Sequence, residues 1–318
     1  MIDKIKRNLY LVFGIAILLY LLFAIFTNVN NLAKTLASFN WIYLPLLLLF
    51  SYFNYISRFF KWHYYVKLLN INAEFGLSFS IFMSGLAMSL TPGKMGEVLK
   101  SYMLKQTIGE SISKTAPIVF VERITDFLSL VILSLFGAVY YNFGIVSSLI
   151  VGVFFIIVVA LIGNKKISLK IIDIIANIKY LKKHAKKLHD AYESSYLMLK
   201  FKPLVLMILL SLVAWFFECI GFYYVLHNFD KSIIVILPIF VYSFSTIIGS
   251  ITMLPGGLGA TEGSLTYLLH INGFSNEEAL ASTFIIRTVT LWFALVIGVF
   301  HLFYFQRKYG EISIDKQE

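Results

Sequence analysis

Two Pro-Gly turns interrupt long apolar runs, and no other feature limits the fold of this chain so strongly. In "SLTPGKMGEVLK", Ser89 to Lys100, an apolar stretch stops at Pro92-Gly93 and a lysine and a glutamate follow at once. In "MLPGGLGATEG", Met253 to Gly263, the chain breaks again at Pro255-Gly256. Proline removes a backbone donor and clashes with the preceding helical turn, while glycine adds conformational entropy that folding must remove. Inside hydrocarbon, every N–H and C=O freed in this way needs a partner. Such breaks are tolerated there only where protein buries them or where they line a wet cavity.

Composition places both breaks in a membrane. Of the 318 residues, 59% are hydrophobic and 14% charged, and the mean hydropathy is +0.81. A soluble domain cannot hide that much apolar surface, and several runs approach the ~20 residues that a spanning helix needs. The pattern predicts an all-α polytopic membrane protein with full spans at 8–27, 41–58, 116–141, 144–162, 203–226 and 280–305. The first run, Leu9 to Phe26, is long for a signal-peptide core and lacks a small-residue cleavage site, so a retained helix is expected. Two segments, 77–106 and 233–271, read as broken hairpins. Leu77 to Leu90 has about 14 residues, or ~21 Å of helix, against a hydrocarbon core of ~30 Å. Ile233 to Leu254 spans only if Pro238 is tolerated, which leaves re-entrant and fully crossing hairpins both open. The expected organisation is a membrane half over 1–162, a basic amphipathic linker over 163–202 and a second membrane half over 203–318.

Charge gives the expected orientation. Lysines and arginines gather at the N-terminus, after the second span (Arg58, Lys61, Lys67), through 163–202 and at Arg307 and Lys308. The positive-inside rule puts these sites, and both termini, on the cytoplasmic side of the cell membrane. A net charge of +10 on such positions suits anionic lipid head groups rather than nucleic acid. The ten lysines between Lys165 and Lys202 are interleaved with Ile171, Ile174, Ile175 and Ile178. That pattern fits either an amphipathic helix docked on lipid or a solvated linker that enforces topology. The lone Cys219 excludes a disulfide framework or a cysteine metal site. The six histidines show no metal-ligand spacing, and neither glycine-rich turn matches a phosphate-binding or dinucleotide fingerprint. No metal and no cofactor are expected.

The two breaks align as an internal repeat. Pro92 is followed by Glu97 and then by Arg123, early in the next span; Pro255 is followed by Glu262 and then by Arg287, early in the last span. Under the predicted topology the first hairpin enters from the cytoplasm and the second from outside, the pattern of inverted repeats whose broken helices meet near the midplane around a substrate site. A helix restarting after each turn would aim free N–H groups at that space, where a phosphate fits. An arginine within a span marks function by default, and its planar donor fork suits phosphate. The expected empty state pairs Glu97 with Arg123 and Glu262 with Arg287. Each acid has a plainer explanation as the first-turn complement of a helix dipole. Lys94 is read as snorkelling to the interface ahead of touching a ligand. Arg123 and Asp126 stand three apart and Glu122 and Asp126 four apart, each pair on one helix face. Glu218, in "WFFECIGFYY", is a further intramembrane acid. Proton coupling and a protonated acid donating one hydrogen bond both fit it.

Three segments together, "PGKMGEVLKSYML", "ERITDFLSL" and "LPGGLGATEGSLTYLL", resemble the signatures of the flippase-like membrane domain of lysylphosphatidylglycerol synthase/flippase (MprF-type) proteins, with YbhN-like and AglD-like stand-alone relatives. The resemblance covers roughly residues 5–308. It carries the family pattern onto Pro92, Gly96 and Glu97, onto Glu122, Arg123 and Asp126, and onto Pro255, Gly257, Gly259 and Glu262; Gly93 and Gly256 complete the two hairpin turns. Where that pattern usually has arginine, this chain has Lys94. The 318 residues hold no counterpart of the soluble aminoacyl-transferase domain, so the resemblance implies lipid translocation without synthesis. The expected cargo is a phosphate-bearing lipid: a phospholipid, an aminoacylated phospholipid or a polyprenyl-phosphate carrier. A homo-oligomer and a separate lipid-modifying enzyme are the protein partners compatible with that role. An enzyme acting on a lipid-linked substrate and a small-solute secondary transporter are the alternatives.

Overall fold

The structure, a computed structural model, describes residues 29–176 and 184–312, with the side chains of Val29, Lys94, Met95, Ile175 and Ala176 outside the described set. The first expected span, 8–27, and the middle of the basic linker lie outside the described residues. No strand occurs among those described, in keeping with an all-α membrane protein. A short helix, α1 (Val29–Ser38), meets a 3₁₀ turn at Trp41–Tyr43 that leads into α2 (Leu44–Leu68). The first hairpin comprises α3 (Phe75–Gly85), 3₁₀ turns at Leu86–Met88 and Pro92–Val98, and α4 (Leu99–Ile108). Two long helices follow, α5 (Ile112–Tyr141) and α6 (Ile145–Gly163), and then the linker helices α7 (Lys165–Ala176) and α8 (Ala185–Met198). Next come α9 (Phe201–Phe229) and the second hairpin, α10 (Ile236–Ile251), a 3₁₀ turn at Pro255–Gly257 and α11 (Ala260–Ile271). The chain closes with α12 (Asn276–Arg287), a π-helical turn at Thr288–Trp292 and α13 (Phe293–Tyr309).

Among the described residues, three helical stretches are long and apolar enough to cross a membrane: α6, α9 and the continuous run Asn276–Tyr309. The bent pair of α1 with the Trp41–Leu68 stretch, 60° apart, passes the same test together. The outer surface matches this reading, because Val146, Ile150, Val153 and Ile157 of α6 all face outward. Both hairpins consist of helices too short to span, 11 and 10 residues in the first and 16 and 12 in the second. Pro238 falls in the first turn of α10, where a missing N–H costs nothing. Between α9 and α10, Ser232 donates its hydroxyl (2.7 Å) and its backbone N–H (2.8 Å) to Asp230, and these bonds hold that carboxyl below the usual carboxylate range.

Two expectations are corrected. The second span does not stop at residue 58: α2 runs on to Leu68 because no breaker intervenes before Asn70, which takes a left-handed φ of 54°. Arg58 and Lys61 therefore lie inside the bundle rather than flanking it. Nor does a helix restart directly after Pro92. Gly93 adopts φ 56°, the Thr91 hydroxyl accepts the Gly96 N–H at 2.9 Å, and the chain coils through 3₁₀ turns. Glu97 sits in these turns, ahead of α4, instead of in the first turn of a restarted helix.

The hairpins pack crosswise. α3 lies against α13, which follows the second hairpin, and α10 lies against α5, which follows the first. A glycine permits each approach, Gly298 of α13 on the backbone of Leu86 and Ala87 and Gly137 of α5 on Phe240. The tips meet through Leu90, Leu258, Leu291 and Leu295, with Gly256 tight against Leu90. A Cβ at Gly298 would fall on backbone, which cannot yield. Gly298→Ala should lower thermal stability in detergent by about 1–3 kcal/mol as an overpacked contact. Gly263→Ala, on α11 with nothing in the way, should be neutral or stabilising by up to about 1 kcal/mol.

Candidate functional site

Charged side chains converge from α2, both hairpins and α5. Glu97, 2% exposed, has Lys100 Nζ at 3.3 Å, Arg123 Nη2 at 3.5 Å and Arg58 Nη2 at 3.7 Å. Lys100 also reaches Glu122 at 2.8 Å, and its ammonium stands over the rings of Trp62 (4.6 Å) and Phe82 (5.2 Å). Its stem lies against Gly85, where a Cβ would crowd it. Asp126 accepts from Lys61 Nζ at 2.6 Å and from the Ser211 hydroxyl at 3.0 Å, and Arg123 Nη1 stands 3.4 Å from its other oxygen. Lys61 in turn donates to the Glu122 carbonyl at 3.0 Å and to Ser211 Oγ at 2.7 Å. So many charges inside one bundle are tolerated only because opposite signs touch.

The second break is closed by one arginine. Arg287 Nε donates to Glu262 Oε1 at 2.6 Å, and Arg287 Nη2 donates to the Gly256 carbonyl at 2.6 Å. Glu262 Oε2 accepts the Gly259 N–H at 2.8 Å, which makes this acid the N3 partner of a capping box at the start of α11 as well as the partner of Arg287. Gly256, Gly257 and Gly259 all take positive φ, and a Cβ at Gly257 would collide with Thr261, so the residue type is dictated by the turn. Glu218 of α9 accepts a 2.6 Å hydrogen bond from the Tyr242 phenol of α10. Tyr55 donates at 2.6 Å to the carbonyl of Thr290 in the π turn just past Arg287.

Between the hairpins lies a cavity of about 1100 Å³. Arg58, Arg123, Asp126, Glu218 and Arg287 line it together with Tyr55, Tyr242 and Thr290. Its wall runs out to surface residues on two fronts, Phe120, Ile150 and Phe154 on one and Ile251, Met253 and Leu254 on the other. The space is therefore polar at its centre and apolar toward the side of the bundle. Such a shape suits an amphiphile, with its charged end inside and its apolar end outside. No group of three or more His, Cys, Asp or Glu side chains among the described residues could hold a metal ion.

Of the residues singled out in the sequence, Glu97, Glu122, Arg123 and Asp126 come together in one network, Glu262 and Arg287 in a second, and Glu218 lines the cavity between them. Pro92 and Gly93 form the first turn and Gly96 packs behind it; Pro255, Gly256, Gly257 and Gly259 form the second. The Lys94 side chain is outside the described set. Sequence reasoning missed Arg58, Lys61, Lys100, Tyr55 and Tyr242. A signal for three of them was present: Arg58 and Lys61 stand three apart in "NYISRFFKWHYYVKLL", which holds no proline or glycine to end the helix. Lys100 stands three after Glu97, the spacing of an ion pair on one helix face.

Removing one partner of a buried pair strands the other. Lys61→Met should destabilise the protein by about 3–5 kcal/mol, and adding Asp126→Asn should recover most of that loss. Thermal unfolding of the single and double variants in one detergent checks this; equal midpoints for the two would contradict it.

Comparison with known proteins agrees with this picture. A UPF0104 membrane protein of Methanocaldococcus jannaschii is 27% identical over 69% of this chain and 94% of its own length. A UPF0104 membrane protein of Methanothermobacter thermautotrophicus is 28% identical over 80% of this chain and 83% of its own. One from Pyrococcus horikoshii is 22% identical over 92% of this chain and 95% of its own. The family description "Lysylphosphatidylglycerol synthase TM region" matches residues 11–298, and with the broken hairpins and their buried charges it leads to one conclusion: this membrane protein belongs to the lysylphosphatidylglycerol synthase TM region family.

Proposed function

We propose that the protein is a lipid flippase or scramblase that moves a phosphate-bearing lipid between leaflets of the cell membrane. The observation that carries this reading is the cavity between the hairpins. It presents the guanidinium groups of Arg58, Arg123 and Arg287 inside and an apolar opening at its side. A phosphate held there replaces a carboxylate as an arginine's partner, and two parallel N–H bonds give it a defined orientation. The acyl or polyprenyl chains stay in the bilayer beyond Phe120 and Met253. The crosswise packing of the hairpins supports an inverted repeat, with one hairpin entering from each face and both termini in the cytoplasm. Movement of one hairpin-and-helix unit against the other then exposes the site alternately to the two leaflets. Anionic or phosphate-bearing lipid head groups are the partners in this reading.

The test is reconstitution in liposomes, following head-group accessibility of labelled phospholipids and of a polyprenyl phosphate. Arg123→Ala should slow translocation by about 10- to 100-fold, the equivalent of losing one charge-assisted hydrogen bond of 1.5–3 kcal/mol. Arg287→Ala should slow it at least as much, with thermal stability measured alongside because this arginine also closes the break. A folded parent that moves none of these lipids would overturn the proposal and favour a solute transporter or a lipid-modifying enzyme.

A further inference from the structure

The linker helix α7 turns an apolar face outward, and it begins where a spanning helix ends. α6 stops at Gly163, and Asn164 is extended (φ −88°, ψ 94°), so α7 starts at the membrane boundary without continuing the axis of α6. Three bonds fix this corner. The Asn164 side chain accepts the Ile167 N–H at 3.2 Å, the Ser168 hydroxyl donates to the Leu161 carbonyl at 2.7 Å, and the Tyr192 phenol of α8 donates to the Ile162 carbonyl at 3.2 Å. Two ion pairs then tie α7 to α8: Lys165 to Glu193 at 2.8 Å, and Asp173 to His189 at 3.4 Å when the imidazole is protonated.

At about 100° per residue the helix divides into three sectors. Ser168, Leu169 and Ile172 point toward the bundle, the first buried and the others half-buried. Ile167, Ile171 and Ile174, at i, i+4 and i+7, share an outer sector and are 43%, 44% and 61% exposed. Lys166, Lys170 and Asp173 share the remaining sector, and all three are exposed. A solvated linker has no use for three isoleucines aligned in water, whereas a helix lying in the membrane interface needs them.

Two observations name what covers the stripe. The isoleucines follow directly on the outward surface of α6, where Ile156, Ile157 and Leu161 are exposed, so one apolar phase meets both helices. Lysines border the stripe, and the acid of their sector, Asp173, is directed to His189. Such lysines lay their stems along the apolar phase and hold their ammonium groups among the head groups, where they attract anionic lipid. Lys186 and Lys187, at the start of α8, are exposed as well.

We infer that α7 is an interfacial helix docked on an anionic lipid leaflet, with Ile167, Ile171 and Ile174 in the acyl region and Lys166 and Lys170 among the head groups. This surface is separate from the cavity between the hairpins, and the inference stands apart from the transport reading. Docking also fixes α8, whose Ala191 and Ser195 form part of the cavity wall.

The experiment uses the full chain with Cys219→Ala, reconstituted in vesicles of phosphatidylcholine alone or mixed with phosphatidylglycerol. A nitroxide spin label is carried by Ile171→Cys or, on the opposite side of the helix, by Asp173→Cys. Its collisions with oxygen and with a water-soluble nickel chelate are measured. In the mixed vesicles the label at position 171 should meet oxygen and be shielded from the chelate, and the label at position 173 should show the reverse. Lys166→Gln combined with Lys170→Gln should lower the docked-to-undocked ratio about 25-fold, about fivefold for each lysine at an anionic surface. Phosphatidylcholine alone should open position 171 to the chelate in the same way. A position 171 open to the chelate in every vesicle overturns the docking and leaves a solvated linker. Equal shielding in both kinds of vesicle, unchanged by the double variant, overturns the anionic assignment. Shielding of both positions overturns it too, because protein then covers the helix. If the double variant does not fold, raised salt on the parent in mixed vesicles decides: screening the lysines should open position 171, and shielding that salt leaves unchanged overturns the head-group contacts.

Discussion

Arg287 holds both sides of a broken helix at once. One of its nitrogens takes the Gly256 carbonyl that the break leaves behind, and another takes the carboxylate of Glu262, which itself satisfies the N–H of Gly259. A break at membrane depth, an arginine in a span and a buried glutamate would each be costly alone. Together they satisfy one another, and the ring of contacts closes between two successive helical segments. The rest of the architecture depends on this. Where the chain turns back at each break the two tips meet, and Leu90 and Leu258 supply that contact. Because both tips are lined with polar backbone and charge, the space beside them does not fill with apolar side chains.

The crosswise packing explains why the cavity persists. α5 and α10 touch where Gly137 lies on Phe240, but the cavity opens between them at the level of Arg123 and Gly249. On the other side, α13 is pinned to the first hairpin at Gly298. Each hairpin is therefore anchored to the helix that follows the other hairpin, and neither can move without shifting its opposite wall. The π turn at Thr288–Trp292 lies where these constraints meet, and Tyr55 accepts the task of satisfying its Thr290 carbonyl. π turns are frequent at functional sites, since the extra residue re-aims neighbouring side chains. Here the residue just before the turn is Arg287.

Much of this was legible in the sequence. The Pro-Gly breaks are visible as interruptions, and the nearly equal spacing from glutamate to arginine after each break points to the two charge clusters. α9, α6 and the long terminal helix announce themselves by length and hydropathy. What could not be read was where a helix continues past its apolar stretch. Arg58 and Lys61 look like topology markers because a lysine after a span usually is one. Only the bundle reveals that the carboxylates of Glu97 and Asp126 wait for them on other elements. The Tyr242–Glu218 bond was hidden for the same reason: it joins two helices through residues with no shared periodicity. The 3₁₀ course of Pro92–Val98 follows from Gly93 and from the Thr91–Gly96 contact, a local detail that spacing alone does not carry.

The two clusters differ in a way that bears on how an anion would be received. Glu97 is shared among Lys100, Arg123 and Arg58 at 3.3–3.7 Å, longer than the 2.7–2.9 Å of a strong charge-assisted bond. Giving up Arg123 or Arg58 to a phosphate leaves the acid with other cations close by. Arg287 is held at 2.6 Å by two partners, one of them the backbone of the break, so its release would disturb the hairpin itself. In the proposed lipid pathway, the first cluster is therefore where partners are exchanged and the second is the fixed post against which exchange takes place. Lys61 and Lys100 fit that division. Both are 1% exposed, and they brace Asp126 and Glu122 on the far side of the network from the cavity. They keep the acids in position while Arg58 and Arg123, which do line the cavity, are free to turn toward a ligand.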